Sequence, residues 1–405
     1  MARKSKKTEE KQAVSALSRA TDLMGKVFKG ENPTIELNAS KMKQSFPHIP
    51  TGALAIDYLI GGRPNQFGVA PCPGLPKGRI LNLYGHEGSG KTTLALTTVA
   101  QVCASGGTCC YIDFENAIVP DYAAQIGVPI DDPNKFLLVA PETLEDGIKI
   151  MYMMISEGID LIVIDSVGAG VPKIEFDKSV KEVDKHAKVG ELARVWSGHL
   201  PKLKQLAAKK NTTIIGISQI RDKIGGMGYS EEATTTVQGG RAWKFYAALR
   251  MRLKRIRQVK GKVYNAINGT YEDQVIGSIT KAKLEKCKVS SSQGQEINFH
   301  LRQGEGIDNA STLIDIGSSN GLIKKAGSWI TWTRSNGEEV KVQGSEKLRE
   351  MLMDEDTLFD ELWASVVPLL SGGQVEDSTI ILDDEEDDDD EYTEADLMKD
   401  ISDLD

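Results

Sequence analysis

The sequence predicts an α/β fold built on a mostly parallel β-sheet. Short apolar runs alternate with helical stretches from about residue 50 to about residue 220, which is typical of strand–helix–strand units. The run "LIVID" (161–165) has no polar residue before its last position, as expected of a strand that is covered on both faces. The predicted strands are 79–85, 109–115, 136–141, 160–166, 212–219 and 248–256.

Shifts in composition predict four segments. Residues 1–45 hold helix and strand candidates but too few apolar residues for a core, which predicts an oligomerisation arm. Residues 46–304 form the α/β core, and residues 305–370 form a small α+β domain. Residues 371–405 are predicted to be a disordered acidic tail, because blocks of like charge repel each other.

The net charge of −9 is unevenly distributed. Residues 376–405 carry a net −15, so the rest of the chain is mildly basic at +6, which is compatible with a polyanionic partner. No secretory signal or membrane span is predicted, and the five cysteines include no CxxC pair. These features predict a cytoplasmic protein without a zinc site or a disulfide framework.

A phosphate loop is the strongest functional signal. The stretch "GHEGSGKT" matches G-x-x-x-x-G-K-[ST] between a predicted strand and a predicted helix. Its glycines allow backbone N–H groups to wrap phosphates, and the helix N-terminus adds partial positive charge. Lys91 is expected to reach the β- and γ-phosphates of ATP, and the Thr92 hydroxyl is expected to bind Mg²⁺. The motif residues are Gly85, His86, Glu87, Gly88, Ser89, Gly90, Lys91 and Thr92.

Polar residues end the neighbouring predicted strands. Asp165 ends "LIVID" and is expected to hold the water shell of the metal. Glu115 and Gln219 end two other strands, and ligands of such sheets bind beyond the carboxyl ends of the strands. A Glu and a Gln at this edge could activate water and sense the γ-phosphate, respectively. The alternative is that they are ordinary polar residues of the turns that follow the strands. Asp113 lies two residues before Glu115 and is predicted to be structural.

Two polar connectors interrupt the core. Residues 220–240 hold five glycines without an apolar period, and residues 171–190 form a second polar stretch. So long an irregular segment inside a compact domain is either functional or disordered. Flexible loops with glycine and Lys or Arg can follow a nucleic-acid backbone without reading its sequence. The basic run at 250–262 fits direct DNA contact and a solvated strand face about equally well.

The segments "GHEGSGKTTLAL", "YIDFENA", "LIVIDSVGA", "SQIRDKIG", "TTTVQGGRAWKFYAALRMRLKRI" and "GEGID" occur in this order. Together they resemble the RecA family of recombinases, from about residue 50 to about residue 368. The resemblance implies a RecA-like phosphate-loop NTPase core that uses ATP and Mg²⁺. It also implies a homo-oligomeric helical filament on single-stranded DNA, which pairs that strand with homologous duplex DNA and hydrolyses ATP. Mediator or single-strand-binding proteins are implied as further partners.

The resemblance also implies roles for residues around the nucleotide. Glu115 matches the general base, and Asp165 matches the metal-linked acid. Gln219 matches the residue that senses the γ-phosphate and relays it to the adjoining DNA loop. Thr93 completes the phosphate loop, and Tyr122 matches the ring that stacks on adenine.

Other implied roles concern neighbouring subunits and DNA. Lys286 and Lys288 match a lysine pair that reaches the ATP of the next subunit, and Phe245 matches an inter-subunit contact. Residues 176–190 and 220–240 match the first and second DNA loops. The implied DNA-binding residues are Arg194, Arg221, Lys223, Gly225, Gly226, Thr234, Thr235, Thr236, Gly239 and Gly240.

The chain departs from the family pattern at several positions. Val119 stands where family members commonly carry an Asp near the adenine, and Pro201 stands near a position that is often Arg. Residues 63–74, "RPNQFGVAPCPG", form an insertion to which the sequence assigns no role. These departures predict a divergent, phage-encoded member. The acidic tail resembles the family's regulatory tail and is expected to compete with duplex DNA for basic surface.

Two other functions fit part of the pattern. A ring helicase shares the phosphate loop, the strand-end Glu and the Asp, but its class usually carries a large helical N-terminal domain. Only about 45 residues precede the core here, which favours a filament. A scaffold filament that binds ATP and DNA without turnover would need neither Glu115 nor Gln219.

Overall fold

The structure is a computed structural model that describes residues 43–177, 190–222, 235–265 and 268–371. Most of the predicted N-terminal arm and nearly all of the predicted acidic tail lie outside these ranges. The predicted DNA-binding residues Lys223, Gly225, Gly226 and Thr234 also lie outside them.

The β-structure of the described residues comprises a ten-stranded sheet, a three-stranded sheet and a two-stranded pair. The strands are β1 His48–Ile49, β2 Leu75–Pro76, β3 Ile80–Gly85, β4 Cys109–Asp113, β5 Phe136–Val139, β6 Leu161–Asp165, β7 Thr213–Asp222, β8 Thr235–Val237, β9 Leu249–Asn265, β10 Thr270–Cys287, β11 Glu296–Arg302, β12 Gly306–Asp308, β13 Ile323–Ala326, β14 Trp329–Thr333 and β15 Glu339–Gln343.

Helices lie between the consecutive parallel strands of the core, β3 to β7 and β9. The helices are α1 Leu54–Asp57, which continues into a π-helical turn over Tyr58–Gly62, α2 Lys91–Ala104, α3 Pro120–Ile126, α4 Leu144–Glu157, α5 Lys173–Phe176, α6 Glu191–Lys210, α7 Arg241–Tyr246, α8 Asn309–Ser319, α9 Ser345–Asp354 and α10 Asp356–Ser371. No helix of the described ranges is long and apolar enough to cross a bilayer.

The large sheet has the order β12-β11-β10-β9-β3-β7-β6-β4-β5, and β8 pairs with β7 beside this path. Strands β5, β4, β6, β7, β3 and β9 are mutually parallel, while β9 to β12 pair antiparallel. The predicted α/β fold with a mostly parallel core is confirmed. The carboxyl ends of the parallel strands meet at one edge, where Gly85 lies opposite Gln219 and Asp113 lies opposite Asp165.

Both faces of the central parallel strands β3, β4 and β6 are buried, which explains their continuous apolar runs. In β6, Leu161 and Val163 pack in one hydrophobic cluster, and Ile162 and Ile164 pack in a second cluster. Alternate side chains of a strand point to opposite faces, so the sheet separates the two clusters. Helix α2 covers the first face, and α4, α6 and α7 cover the second.

The antiparallel edge differs most from the sequence prediction. The strand predicted at 248–256 continues to Asn265 as β9, and β10 to β12 were not predicted. Strand β3 pairs with β9 only as far as Leu253, and β11 pairs with β10 only from Gly277. Residues 260–265 of β9 and 270–276 of β10 pair only with each other, as a two-stranded ribbon in which no side chain is buried, so no apolar period marks it in the sequence.

A third hydrophobic cluster lies within residues 310–366, among α8 to α10 and β13 to β15. Trp332 and Leu362 are fully buried there. This separate cluster accords with the predicted small domain, although the four domain limits stay a prediction.

A buried carboxyl group in α1 gives a stability prediction. Burial raises the pKa of Asp57 from 3.8 to about 7, although its carboxylate accepts the Thr51 N–H. The protonated Asp57 contributes fully to the free energy of unfolding below about pH 4. That contribution is lost as the pH rises towards 7 and the buried carboxyl ionises. Asn cannot ionise, so the free energy of unfolding of Asp57→Asn should rise relative to that of wild type by on the order of 2 kcal/mol when the pH is raised from 5 to 8. Denaturant unfolding at both pH values measures this, and a pH-independent difference would contradict it.

Candidate functional site

The phosphate loop leaves the sheet where β3 meets β9. A Cβ at Gly85 would lie 2.2 Å from the Leu253 carbonyl oxygen, so the close strand contact requires glycine there. Gly90 has a φ of +88° and begins α2, whose N-terminal N–H groups face the loop. The structure thus brings Gly85 to Thr93 together as one turn at the carboxyl edge of the sheet.

Lys91 is buried under its own loop. Its Nζ donates to the carbonyl oxygens of Gly85 (3.0 Å) and His86 (2.8 Å). Burial lowers the pKa of Lys91, and the nearby carboxylates of Asp165 and Glu115 oppose this effect. An ammonium group held by two carbonyls can exchange them for phosphate oxygens, which are better acceptors for a cation.

The Thr92 hydroxyl donates to Asp165 Oδ2 over 2.8 Å, so the two predicted metal-site residues are in contact. Tyr111 donates to the same Asp165 oxygen over 2.7 Å. Burial raises the pKa of Asp165, and the two hydrogen bonds counteract it. The Asp165 carboxylate is therefore held in one orientation, towards the start of α2.

The residues at this edge fit a magnesium–nucleotide group. A hydroxyl and a carboxylate are the hard oxygen ligands that Mg²⁺ prefers, and such sites take their remaining ligands from water and phosphate. The buried Ser89 hydroxyl has no hydrogen-bond partner among the described residues. Leaving a buried hydroxyl without a hydrogen bond costs free energy. The Ser89 hydroxyl can therefore donate to a group that binds in the phosphate loop.

Asp113 organises the turn that carries Glu115. Its buried carboxylate accepts the backbone N–H groups of Glu115 (3.0 Å), Ala117 (2.9 Å) and Ile118 (3.1 Å). These three hydrogen bonds support the predicted structural role of Asp113. Glu115 is exposed beside the phosphate loop, and its backbone is fixed by these bonds.

Gln219 contacts Glu115 directly. Its Nε2 donates to Glu115 Oε1 at 2.9 Å and lies 3.2 Å from Oε2. Gln219 lies on β7, which continues to Asp222 and leads into residues 223–234. The two predicted catalytic groups therefore meet at the point where the second predicted DNA loop leaves the sheet.

Tyr122 and Val119 flank the entrance to α3. The Tyr122 hydroxyl lies 2.8 Å from the Thr93 hydroxyl, which ties the ring to the phosphate-loop helix. Val119 is 58% exposed at the N-terminal end of α3. The adenine-stacking role of Tyr122 stays a prediction.

The ends of the two predicted DNA loops converge. A Cβ at Gly240 would lie 2.7 Å from Ala193 Cβ, next to the exposed Arg194 in the first turn of α6. Gly239 packs in the same way on Val167, which follows β6. The backbones of Arg221, Thr235 and Thr236 lie in the β7–β8 pair. Arg194, Gly239 and Gly240 therefore lie together, while the DNA-contacting roles of all these residues stay predictions.

Lys286 and Lys288 lie at the opposite end of the sheet from the phosphate loop. Strand β10 ends where Cys287 pairs with Leu249 at the start of β9, whereas the phosphate loop follows the opposite end of β3. Lys286 Nζ donates to the carbonyls of Lys244 (2.8 Å) and Phe245 (2.9 Å) at the end of α7. Burial and several neighbouring cations, Lys288 first, lower the pKa of Lys286.

Phe245 lies on the same surface and is 65% exposed. Because the lysine pair and the phosphate loop occupy opposite ends of one chain, the pair cannot act on its own nucleotide. An action on the nucleotide of a neighbouring copy stays a prediction.

Two contacts of the site were missed at the level of sequence. The sequence predictions give Tyr111 no role, although its position two residues before Asp113 places it on the face that Asp165 shares. Arg255 is the second, since its Nη1 would lie 3.2 Å from a Cβ at Gly88 in the phosphate loop. It occurs within the basic run at 250–262, where no signal distinguished it from the other cations.

The fold and this site define a phosphate-loop nucleotide-binding protein. Residues 15–308 match the family model of the RecA N-terminal domain. The chain is 38% identical over 348 residues to Protein RecA of Laribacter hongkongensis, covering 86% of this chain and 88% of the relative. It is 39% identical over 336 residues to Protein RecA of Mycobacterium avium, covering 83% and 86%. This chain belongs to the RecA family.

The fold is also similar to a solved structure described as the RadB recombinase. That similarity covers 64% of this chain and 98% of the other, with 21% sequence identity and a TM-score of 0.44.

Proposed function

We propose that this chain is a DNA recombinase that assembles with ATP as a helical filament on single-stranded DNA. The filament pairs the bound strand with homologous duplex DNA and exchanges strands, and DNA binding stimulates ATP hydrolysis. Membership of the RecA family supports this function. A cytoplasmic location and mediator or single-strand-binding partners are parts of the same proposal.

The contact between Gln219 and Glu115 is the observation that carries the proposal. It joins the strand that leads into the second predicted DNA loop to the residue best placed to activate water. When DNA binds that loop, β7 can shift and move Gln219 off the Glu115 carboxylate. Glu115 is then free to orient a water molecule and accept its proton, so turnover depends on DNA.

Each remaining residue of the site has a defined task. Lys91 exchanges its loop carbonyls for the β- and γ-phosphates, and the backbone N–H groups of the loop orient them. Bound Mg²⁺ would neutralise phosphate charge beside the Thr92 hydroxyl and the Asp165 carboxylate. Lys286 and Lys288 of the adjoining subunit would stabilise charge that develops in the transition state.

The test combines imaging with strand exchange. Protein, ATP and single-stranded DNA should give helical filaments, and a homologous duplex should exchange strands while a heterologous duplex should not. Closed rings that unwind duplex DNA without homologous pairing would favour the ring helicase. Filaments without any ATP turnover would favour the scaffold.

A further inference from the structure

The inserted residues 63–74, here named the 63–74 loop, form an ordered turn. The Asn65 side-chain oxygen accepts the N–H groups of Phe67 (2.9 Å) and Val69 (3.3 Å). The backbone closes the same turn through Gly68 N–H to Asn65 O and Asn65 N–H to Val69 O, both 2.9 Å. The loop therefore holds Phe67 at its tip at little further cost in conformational entropy.

The 63–74 loop is attached to the body at both ends. Cys72 N–H donates to the Gly61 carbonyl over 3.0 Å, and Arg63 Nη2 donates to the Leu370 carbonyl over 3.1 Å. A Cβ at Gly61 would lie 2.8 Å from the Cys72 carbonyl oxygen, so the loop packs closely on the π-helical turn. These contacts fix the loop as part of the folded surface.

The same loop holds the first described segment of the chain. Phe46 N–H donates to Pro71 O over 2.7 Å, and the Ser45 hydroxyl donates to Ala70 O over 2.6 Å. Lys43 Nζ lies 5.8 Å from the centre of the Phe67 ring. The loop therefore determines the direction in which the chain enters the core from the predicted oligomerisation arm.

Phe67 remains 43% exposed, and Asn65, which accepts the Phe67 N–H, lines an open groove of about 500 Å³. Phe46, Asn65, Pro71 and Val289 are among the residues that line this groove. An aromatic side chain held out by an ordered loop next to a partly apolar groove is the kind of anchor that dominates protein interfaces.

The groove adjoins the surface of the lysine pair. Val289 directly follows Lys288, and the Ser290 hydroxyl donates to the Ile60 carbonyl beside the anchor of the loop. Lys204, Lys244 and Lys288 surround Lys286 and make this end of the sheet basic. The phosphate-loop end exposes carboxylates of the opposite sign, including Glu87, Glu115 and Asp121.

We propose that the 63–74 loop is a subunit-docking element that extends the surface of the lysine pair and receives a second copy of this chain. The phosphate-loop end of that copy packs against Phe67 and the adjoining groove. Opposite charges on the two ends favour this head-to-tail contact, which repeats along an open filament because it does not close. The inference rests on the proposed filament and adds the inserted loop to its interface.

Accessibility of a thiol at the loop tip tests the contact directly. All five native cysteines are buried, so Phe67→Cys introduces an exposed thiol that maleimide can label selectively. Assembly with ATP and single-stranded DNA should slow its labelling by at least about tenfold. Trp329→Cys is the matched control, because Trp329 is 46% exposed on β14, in the segment of the predicted small domain. Equal slowing at both positions, or no slowing at position 67, would overturn the proposal.

A charged residue at position 67 tests how much Phe67 contributes to filament assembly. Phe67→Asp should raise the protein concentration needed for filament assembly by about tenfold, because an interface anchor is lost. Trp329→Asp should change it by no more than about twofold. Binding of a fluorescent ATP analogue to the dilute subunit should be unchanged, since the loop lies at the other end of the sheet. Phe67→Ala replaces Phe67→Asp if the latter loses its cooperative unfolding transition.

The outcomes separate the two proposals. If the wild-type protein forms no filament, the proposed function fails. If the wild type assembles and the Phe67 variants assemble at the same concentration, the filament stands and the docking role of the 63–74 loop is wrong.

Discussion

Glu115→Gln is expected to slow DNA-stimulated ATP hydrolysis by about 10²- to 10⁴-fold while ATP and DNA binding persist. The amide has the size of the carboxylate but cannot accept a proton from water. Its backbone position should survive, because Asp113 holds the Glu115 N–H and the Glu115 side chain is exposed. Phosphate binding depends on Lys91 and the loop, neither of which is altered.

Steady-state hydrolysis with and without single-stranded DNA measures the effect, and equilibrium titrations measure the two binding steps. Glu142→Gln is the matched control, because it makes the same chemical change at an exposed position after β5. The control should hydrolyse ATP as fast as wild type does. Equal turnover in Glu115→Gln and wild type would remove Glu115 from the proposed role of base.

The parallel core could be predicted because its signals are local. A strand such as β6 is buried on both faces, so each of its positions before Asp165 has to be apolar, and the run is visible without knowledge of its neighbours. The phosphate loop is equally local, since all its functional atoms come from consecutive residues between β3 and α2. Both predictions depend on sequence spacing alone.

The antiparallel ribbon could not be predicted in the same way. Beyond Leu253, β9 is supported by β10 alone, and most of its side chains face solvent. A strand without a buried face has no need for apolar alternation, so a run of Lys and Arg gives no sign of its length. The backbone pairing of β9 with β10 joins residues up to 38 positions apart, as in Cys287 with Leu249.

Site contacts between distant segments were also beyond the sequence. Tyr111 and Asp165 lie 54 positions apart, and Gln219 and Glu115 lie 104 positions apart. Strand-end position predicted that Glu115 and Gln219 share an edge, but not that their side chains touch. In the sheet β6 lies between β7 and β4, and the turn after β4 brings Glu115 to Gln219.

Replacing both Lys286 and Lys288 by Ala is expected to lower DNA-stimulated ATP turnover by at least about 10²-fold. The two ammonium groups lie at the end of the sheet opposite the phosphate loop, so their effect on hydrolysis requires a neighbouring subunit. Lys286 also binds the carbonyls of Lys244 and Phe245, and its loss could loosen α7. Filament assembly on single-stranded DNA with a non-hydrolysable ATP analogue therefore has to be measured in parallel.

Mixing this double variant with Glu115→Gln separates action between subunits from action within one. Neither variant alone has a complete site, because one lacks the lysines and the other lacks the base. In a mixed filament, a complete site forms wherever a subunit with intact Glu115 meets a neighbour with intact lysines. Random assembly at a one-to-one ratio creates about one such junction in four, so the mixture should recover about a quarter of wild-type turnover. A lysine pair that served its own subunit would leave the mixture as inactive as its parts, because no single chain in it carries both sets of residues.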